Sequence, residues 1–121
     1  MFSSISVPAV LILDDDLGFA MWLGRTLNDA GLEALPASRS EEAMALLADD
    51  RFSPVELMIV NREVEGSREL LDSLMALNSN LKVIGIGGPR SGVSATVERP
   101  KGNSQPSADG YLKTVRRVLA G

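Results

Sequence analysis

Val10-Leu11-Ile12-Leu13-Asp14-Asp15-Asp16 decides how the chain is read. Four apolar residues followed by three carboxylates read as a strand buried on both faces that ends in an acidic cluster. A run bounded this sharply suits a parallel strand covered by helices. The carboxylates then fall at its carboxyl end, where open α/β sheets bind ligands. Three adjacent negative charges repel one another, so they invite a cation or basic side chains.

Outward from that run, strand and helix patterns alternate. Leu17 to Ala30 carries Ala20, Leu23, Leu27 and Ala30 on one helical face, with Gly31 as its cap. Asp14 to Asp16 precede this helix and favour its N-terminus through the dipole. Leu32 to Ala37 reads as a short strand, and Pro36 places it at a sheet edge because proline cannot donate to a ladder. Ser38 with Glu41 forms a capping-box pattern, Ser40 being the alternative cap, ahead of a helix that ends near Asp50. Leu57 to Val60 is a third strand, ending at Asn61. Gly66 and Ser67 lead into a helix carrying Leu70, Leu71, Leu74 and Leu77, and Leu81 to Ile86 is a fourth strand. This order predicts a parallel sheet with helices on both faces. A fifth strand is expected within Val93 to Val97 and a final amphipathic helix over Ser107 to Ala120. Gly110 inside that helix costs roughly 1 kcal/mol against alanine. Trp22, with Met21 and Phe19, is expected to pack the first helix. Gly85, Gly87 and Gly88 suggest close backbone packing or a tight turn, since Pro89 follows at once and no phosphate-cradling pattern precedes a helix.

Composition narrows the chemistry. The 121 residues have the size of a single domain, 1–121, with 45% hydrophobic residues and a net charge of −4. That charge argues against non-specific nucleic-acid binding, which needs a basic face. The absence of cysteine removes disulfides, thiolate metal sites and cysteine nucleophiles, and fits a cytoplasmic protein. The absence of histidine removes the commonest general base and the usual transition-metal ligand. A metal here would be hard and oxygen-bound, with magnesium the natural choice. No apolar run approaches the roughly 20 residues of a membrane span. Met1 to Pro8 is too short and uncharged for a signal peptide.

With these residues in view, the chain resembles a response-regulator receiver domain of the CheY type. The resemblance rests on VLILDDD, on length and element order, on LMIVN at the third strand and on the closing LKTVRRVLAG helix. It implies a flavodoxin-like, doubly wound, five-stranded parallel sheet of order 2-1-3-4-5. It also implies a phosphorylation pocket above strands one, three and four. The magnesium-holding acid pair falls on Asp14 and Asp15, and Asp16 matches a third acidic position of many members. The metal's carbonyl ligand falls on Glu63.

The rest of that pocket departs from the family. Its phosphoacceptor position holds Asn61, whose amide is a poor nucleophile and brings no charge to a metal. The switch hydroxyl position holds Gly87, the switching aromatic position Thr96, and the lysine position Arg99, before Pro100. Arginine keeps the positive charge but not lysine's compact geometry. Folded into the pocket in place of a metal, it would neutralise the acids as a structural ion pair. The stretch from Gly87 to Arg99 is about half the family's usual length, so the helix between the fourth and fifth strands is expected to be missing or shortened. Ala108-Asp109-Gly110-Tyr111-Leu112-Lys113 also resembles the family's fifth strand with its lysine. That register would leave only two turns for the last helix, so the helical reading is preferred.

The expectation is a degenerate receiver, a pseudo-receiver that is not an enzyme and requires no cofactor, with weak magnesium binding at most. It would act by contact with a sensor kinase or downstream signalling protein, not with nucleic acid or membrane. A homodimer is left open. The alternatives are a weakly phosphorylatable receiver with a displaced acceptor and a magnesium-dependent phosphohydrolase of haloacid-dehalogenase type. In the second, Asp14 is the nucleophile and Asp16 the acid, but the hydroxyl, lysine and paired-acid motifs of that family are absent.

Overall fold

A computed structural model describes residues 7–49, 55–86, 95–97 and 108–120. Its elements are β1 (Ala9–Leu13), α1 (Leu17–Asp29), β2 (Glu33–Ala37), α2 (Ser40–Leu47), β3 (Val55–Val60), α3 (Ser67–Leu77), β4 (Lys82–Ile86), β5 (Ala95–Val97) and α4 (Ala108–Ala120). The strands form one sheet in the order β2-β1-β3-β4-β5, and every neighbouring pair is parallel. This is the flavodoxin-like order that the resemblance implies. The strand containing Pro36 lies at the edge, as its missing N–H requires.

The strand period of two divides the core into two layers. Leu11, Leu13, Met58, Val60 and Val83 face α2 and α3, where Ala43, Leu70 and Leu74 meet them. Val10, Ile12, Leu57, Ile59 and Ile84 face the opposite way, onto Phe19, Ala20, Leu23 and Leu27 of α1 and Tyr111, Val115 and Val118 of α4. All five residues of β1 are buried, which explains why the opening run shows no alternation. Trp22 packs edge-on against Tyr111 at 5.5 Å between ring centroids, tying α1 to α4. The last segment is helical from Ala108, with Gly110 inside its first turn, so the competing strand reading of that segment fails.

Helix α1 ends in a left-handed turn at Gly31 (φ 91°), as its glycine implied. There the N–H groups of Gly31 and Leu32 donate to the carbonyls of Asn28 and Leu27, closing the helix as glycine allows. Other local expectations need correction. The capping box is shifted by one residue. Arg39 is the N-cap of α2, and both the N–H and the hydroxyl of Ser38 donate to Glu42, not Glu41. Helix α2 stops at Leu47, a turn short of Asp50. Leu77 is 83% exposed and Met21 is also exposed. Leu77 is the last residue of α3, beyond the turns whose stripe (Leu70, Leu74) rests on the sheet. The expectation about the helix between the fourth and fifth strands falls on residues 87–94, outside the described residues.

Candidate functional site

The carboxyl ends of β1 and β3 stand side by side. Leu13 is in register with Val60, so Asp14 and Asn61 leave the sheet at the same level. Their backbones continue the ladder for one more bond: Asp14 N–H donates to the Ala37 carbonyl and Asn61 N–H to the Leu13 carbonyl. Both side chains are buried, Asp14 at 0% and Asn61 at 6% exposure.

Each then makes the same local turn. Oδ1 of Asp14 accepts the N–H of Asp16 at 2.9 Å, and Oδ1 of Asn61 accepts the N–H of Glu63 at 3.0 Å. These side-chain oxygens replace backbone carbonyls two residues before the donor, which is why Asp and Asn favour such turns. Asn61 adds a backbone turn, with Val64 N–H donating to its carbonyl at 3.0 Å. The residue flagged as a lost acceptor therefore has a structural task that the sequence reading did not assign. An asparagine at a strand end, directly before a turn, is the signal that could have found it.

The three acids of the opening run separate into three roles. Asp14 points into the protein. Asp15 is exposed. Asp16 is the N-cap of α1, its Oδ1 accepting the N–H of Phe19 at 3.0 Å and satisfying one of the donors a helix start leaves open. Burial of Asp14 and the capping task of Asp16 give no support to the phosphohydrolase reading, which needs those two carboxylates to face a substrate together.

The remaining expected positions are less gathered. Glu63 is exposed and reaches the cluster through its N–H to Asn61. Thr96 lies in β5, paired in register with Gly85. Gly87 and Arg99 lie outside the described residues. Among the described residues no three acidic side chains converge as a metal-ligand set. The donors are hard oxygens, as magnesium prefers, but Asn61, at the position the resemblance gives to a third carboxylate, is an amide whose Oδ1 is turned to a backbone N–H. These residues therefore fit the metal poorly.

The β3–α3 loop is tied down on its far side. Ser67 Oγ donates to the Arg62 carbonyl at 3.1 Å, and Ser40 Oγ donates to the Glu65 carbonyl at 2.7 Å. Gly66 takes φ 80°, and a Cβ there would lie 3.0 Å from Ser40 Oγ. Both the backbone conformation and the close approach of α2 select glycine.

No known protein-family profile matches the sequence. No curated protein matches it either. Solved structures do match. The chemotaxis response regulator CheY4 of Vibrio cholerae aligns with a TM-score of 0.72 at 19% identity, covering 93% of this chain and 99% of that one. A CheY-like receiver domain protein from Methanospirillum hungatei gives 0.71 at 22% identity, with 95% of each chain covered. A response regulator from Thermotoga maritima gives 0.72 at 18% identity, covering 95% of this chain and 99% of that one. The chain has the fold of CheY-like response-regulator receiver domains. Among the described residues no helix is long and apolar enough to cross a membrane.

Proposed function

We propose that the protein is a receiver-like signalling module of two-component, phosphorelay type that accepts no phosphate on its third strand. It works by contact with another protein, a sensor kinase or a downstream signalling component. The observation that carries this reading is Asn61. It holds the strand-end position beside buried Asp14, and its side-chain oxygen serves the Glu63 N–H. A neutral amide cannot attack phosphorus as a carboxylate does, and it lends no charge to a cation. Any magnesium is held weakly, and the acids serve structure and electrostatics first. Output is constitutive or set by a partner or ligand. The net charge of −4 favours a protein partner over nucleic acid.

The test is incubation with a small phosphodonor and magnesium, followed by intact mass measurement. An unchanged mass is expected. Addition of one phosphoryl group would replace this reading with that of a receiver whose acceptor is displaced.

A further inference from the structure

A shallow groove of about 290 Å³ runs between α2 and α3, lined by Ser40, Glu41, Met44, Gly66, Glu69, Leu70 and Ser73. Each helix contributes residues at i, i+1 and i+4, so the groove follows one face of both. Its volume suits one or two side chains better than a cofactor.

We propose that this groove docks a cationic amphipathic segment of a partner protein. An apolar side chain of the partner rests on Met44 and Leu70, while a lysine or arginine lies between Glu41 and Glu69. The proposal rests on the reading that the protein works through protein contact, and it names the surface and the partner's chemistry.

Three observations converge on it. First, the floor is apolar and adaptable: Met44 is 50% exposed although Ala43 beside it is fully buried. Methionine adjusts its shape to varied apolar partners. Second, the walls are already in place. The Ser40–Glu65 bond fixes the start of α2, Gly66 seats directly against it, and Ser73 Oγ donates to the Glu69 carbonyl at 3.0 Å. A preformed groove loses little entropy on binding.

Third, the rim selects the sign of the partner's charge. The Glu69 carboxylate makes no ion pair among the described residues, and Glu41 meets only Arg39 at 3.9 Å, with both side chains well exposed. A pair that long and exposed contributes little and exchanges readily. The neighbouring Glu42 is not available, because Ser38 holds it. Two glutamates lining the groove, one from each helix, favour a cation with an apolar neighbour and repel an acidic segment.

The experiment is an amide NMR titration of the full chain with a short helical peptide carrying leucine and arginine one turn apart. A matched peptide with glutamate in place of arginine is the control. Saturable shifts are expected at amides of Ser40 to Met44 and Gly66 to Ser73, and none with the control. The double variant Glu41→Gln, Glu69→Gln should weaken binding by about fivefold, and raising salt should weaken the wild type toward it. Met44→Ala should weaken binding independently of salt. Both sets of changes are at exposed positions, and retained spectral dispersion shows that the fold is intact.

No shifts up to millimolar peptide, shifts elsewhere, or equal binding of the control would overturn the proposal. Concentration-dependent shifts of the same amides without peptide would assign the groove to a second copy and also overturn it. Phosphoryl transfer to the wild type would overturn the functional reading alone. An unchanged mass with no titration would overturn only the groove.

Discussion

Asp14 and Asn61 sit at the ends of neighbouring strands, both buried, and both give Oδ1 to the N–H two residues on. At the side chain itself the two residues differ in what the second atom carries, a charged oxygen at one and an NH2 group at the other. The comparison separates two tasks that a single aspartate can perform. The turn needs one side-chain oxygen, which either residue supplies. Phosphoryl chemistry and metal binding need the charge, which only the carboxylate has. The β3 end can therefore lose its chemistry while keeping its shape.

Removing the shared oxygen should have the largest effect. Asn61→Ala is expected to cost about 1–3 kcal/mol, since the Glu63 N–H loses its acceptor in a part-buried setting. Asp14→Ala should cost at least as much, because the Asp16 N–H is stranded and a fully buried side chain is lost. Urea denaturation at neutral pH measures both. An Asn61→Ala variant as stable as wild type would break the comparison, leaving Asn61 with no structural task.

Restoring the missing charge should have a smaller, pH-dependent effect. Asn61→Asp keeps the turn oxygen but sets a second carboxylate beside Asp14, and about 1 kcal/mol is expected to be lost at neutral pH. The repulsion acts only where both carboxylates are ionised. Relative to wild type, the variant should be least destabilised at low pH and lose ground as pH rises through the carboxylate range. Magnesium should recover part of the loss in the variant and leave the wild type unmoved. Urea midpoints across pH, with and without the metal, test this.

The smallest effect lies at the shifted capping box, a third side-chain oxygen serving backbone. Hydrogen bonds from the Ser38 hydroxyl and then its N–H hold the Glu42 carboxyl below its ordinary value. A lowered folded-state pKa stabilises above the ordinary glutamate value. That contribution is lost as pH falls through the folded value. Ser38→Ala should move the Glu42 titration, followed by NMR of its side chain, back toward the ordinary range. An unmoved titration would show that the hydroxyl does not hold the carboxylate.

How far the sequence revealed this follows from the type of signal at each place. The uninterrupted run of β1 and the proline of β2 carry strong, local physics: burial on both faces in one, a missing donor in the other. They were enough to mark one interior strand and one edge strand of the sheet. Glycine at position 31 marked the end of α1 for the same kind of reason. The capping box was misplaced by one residue because Glu41 and Glu42 are chemically alike, and only the start of α2 decides which one reaches back. Leu77 kept a helical period but sits at the last turn, where geometry, not pattern, ends the contact. At the site, the acidic run was legible as a cluster. Its division among core, solvent and helix cap was not, because that depends on where three successive carbonyl-end residues turn away from the sheet. The turn at Asn61 was hidden behind its more conspicuous property, the missing carboxylate.

The measurement that bears most directly on the central claim is an amide NMR spectrum of the wild type with beryllium fluoride and magnesium. That pair mimics a phosphoryl group on a carboxylate and does not depend on the lifetime of an acyl phosphate. No saturable shifts are expected at the amides of Asp14 to Asp16 or Asn61 to Val64. Saturable shifts at both strand ends would contradict the claim that the site has kept its geometry and lost its chemistry.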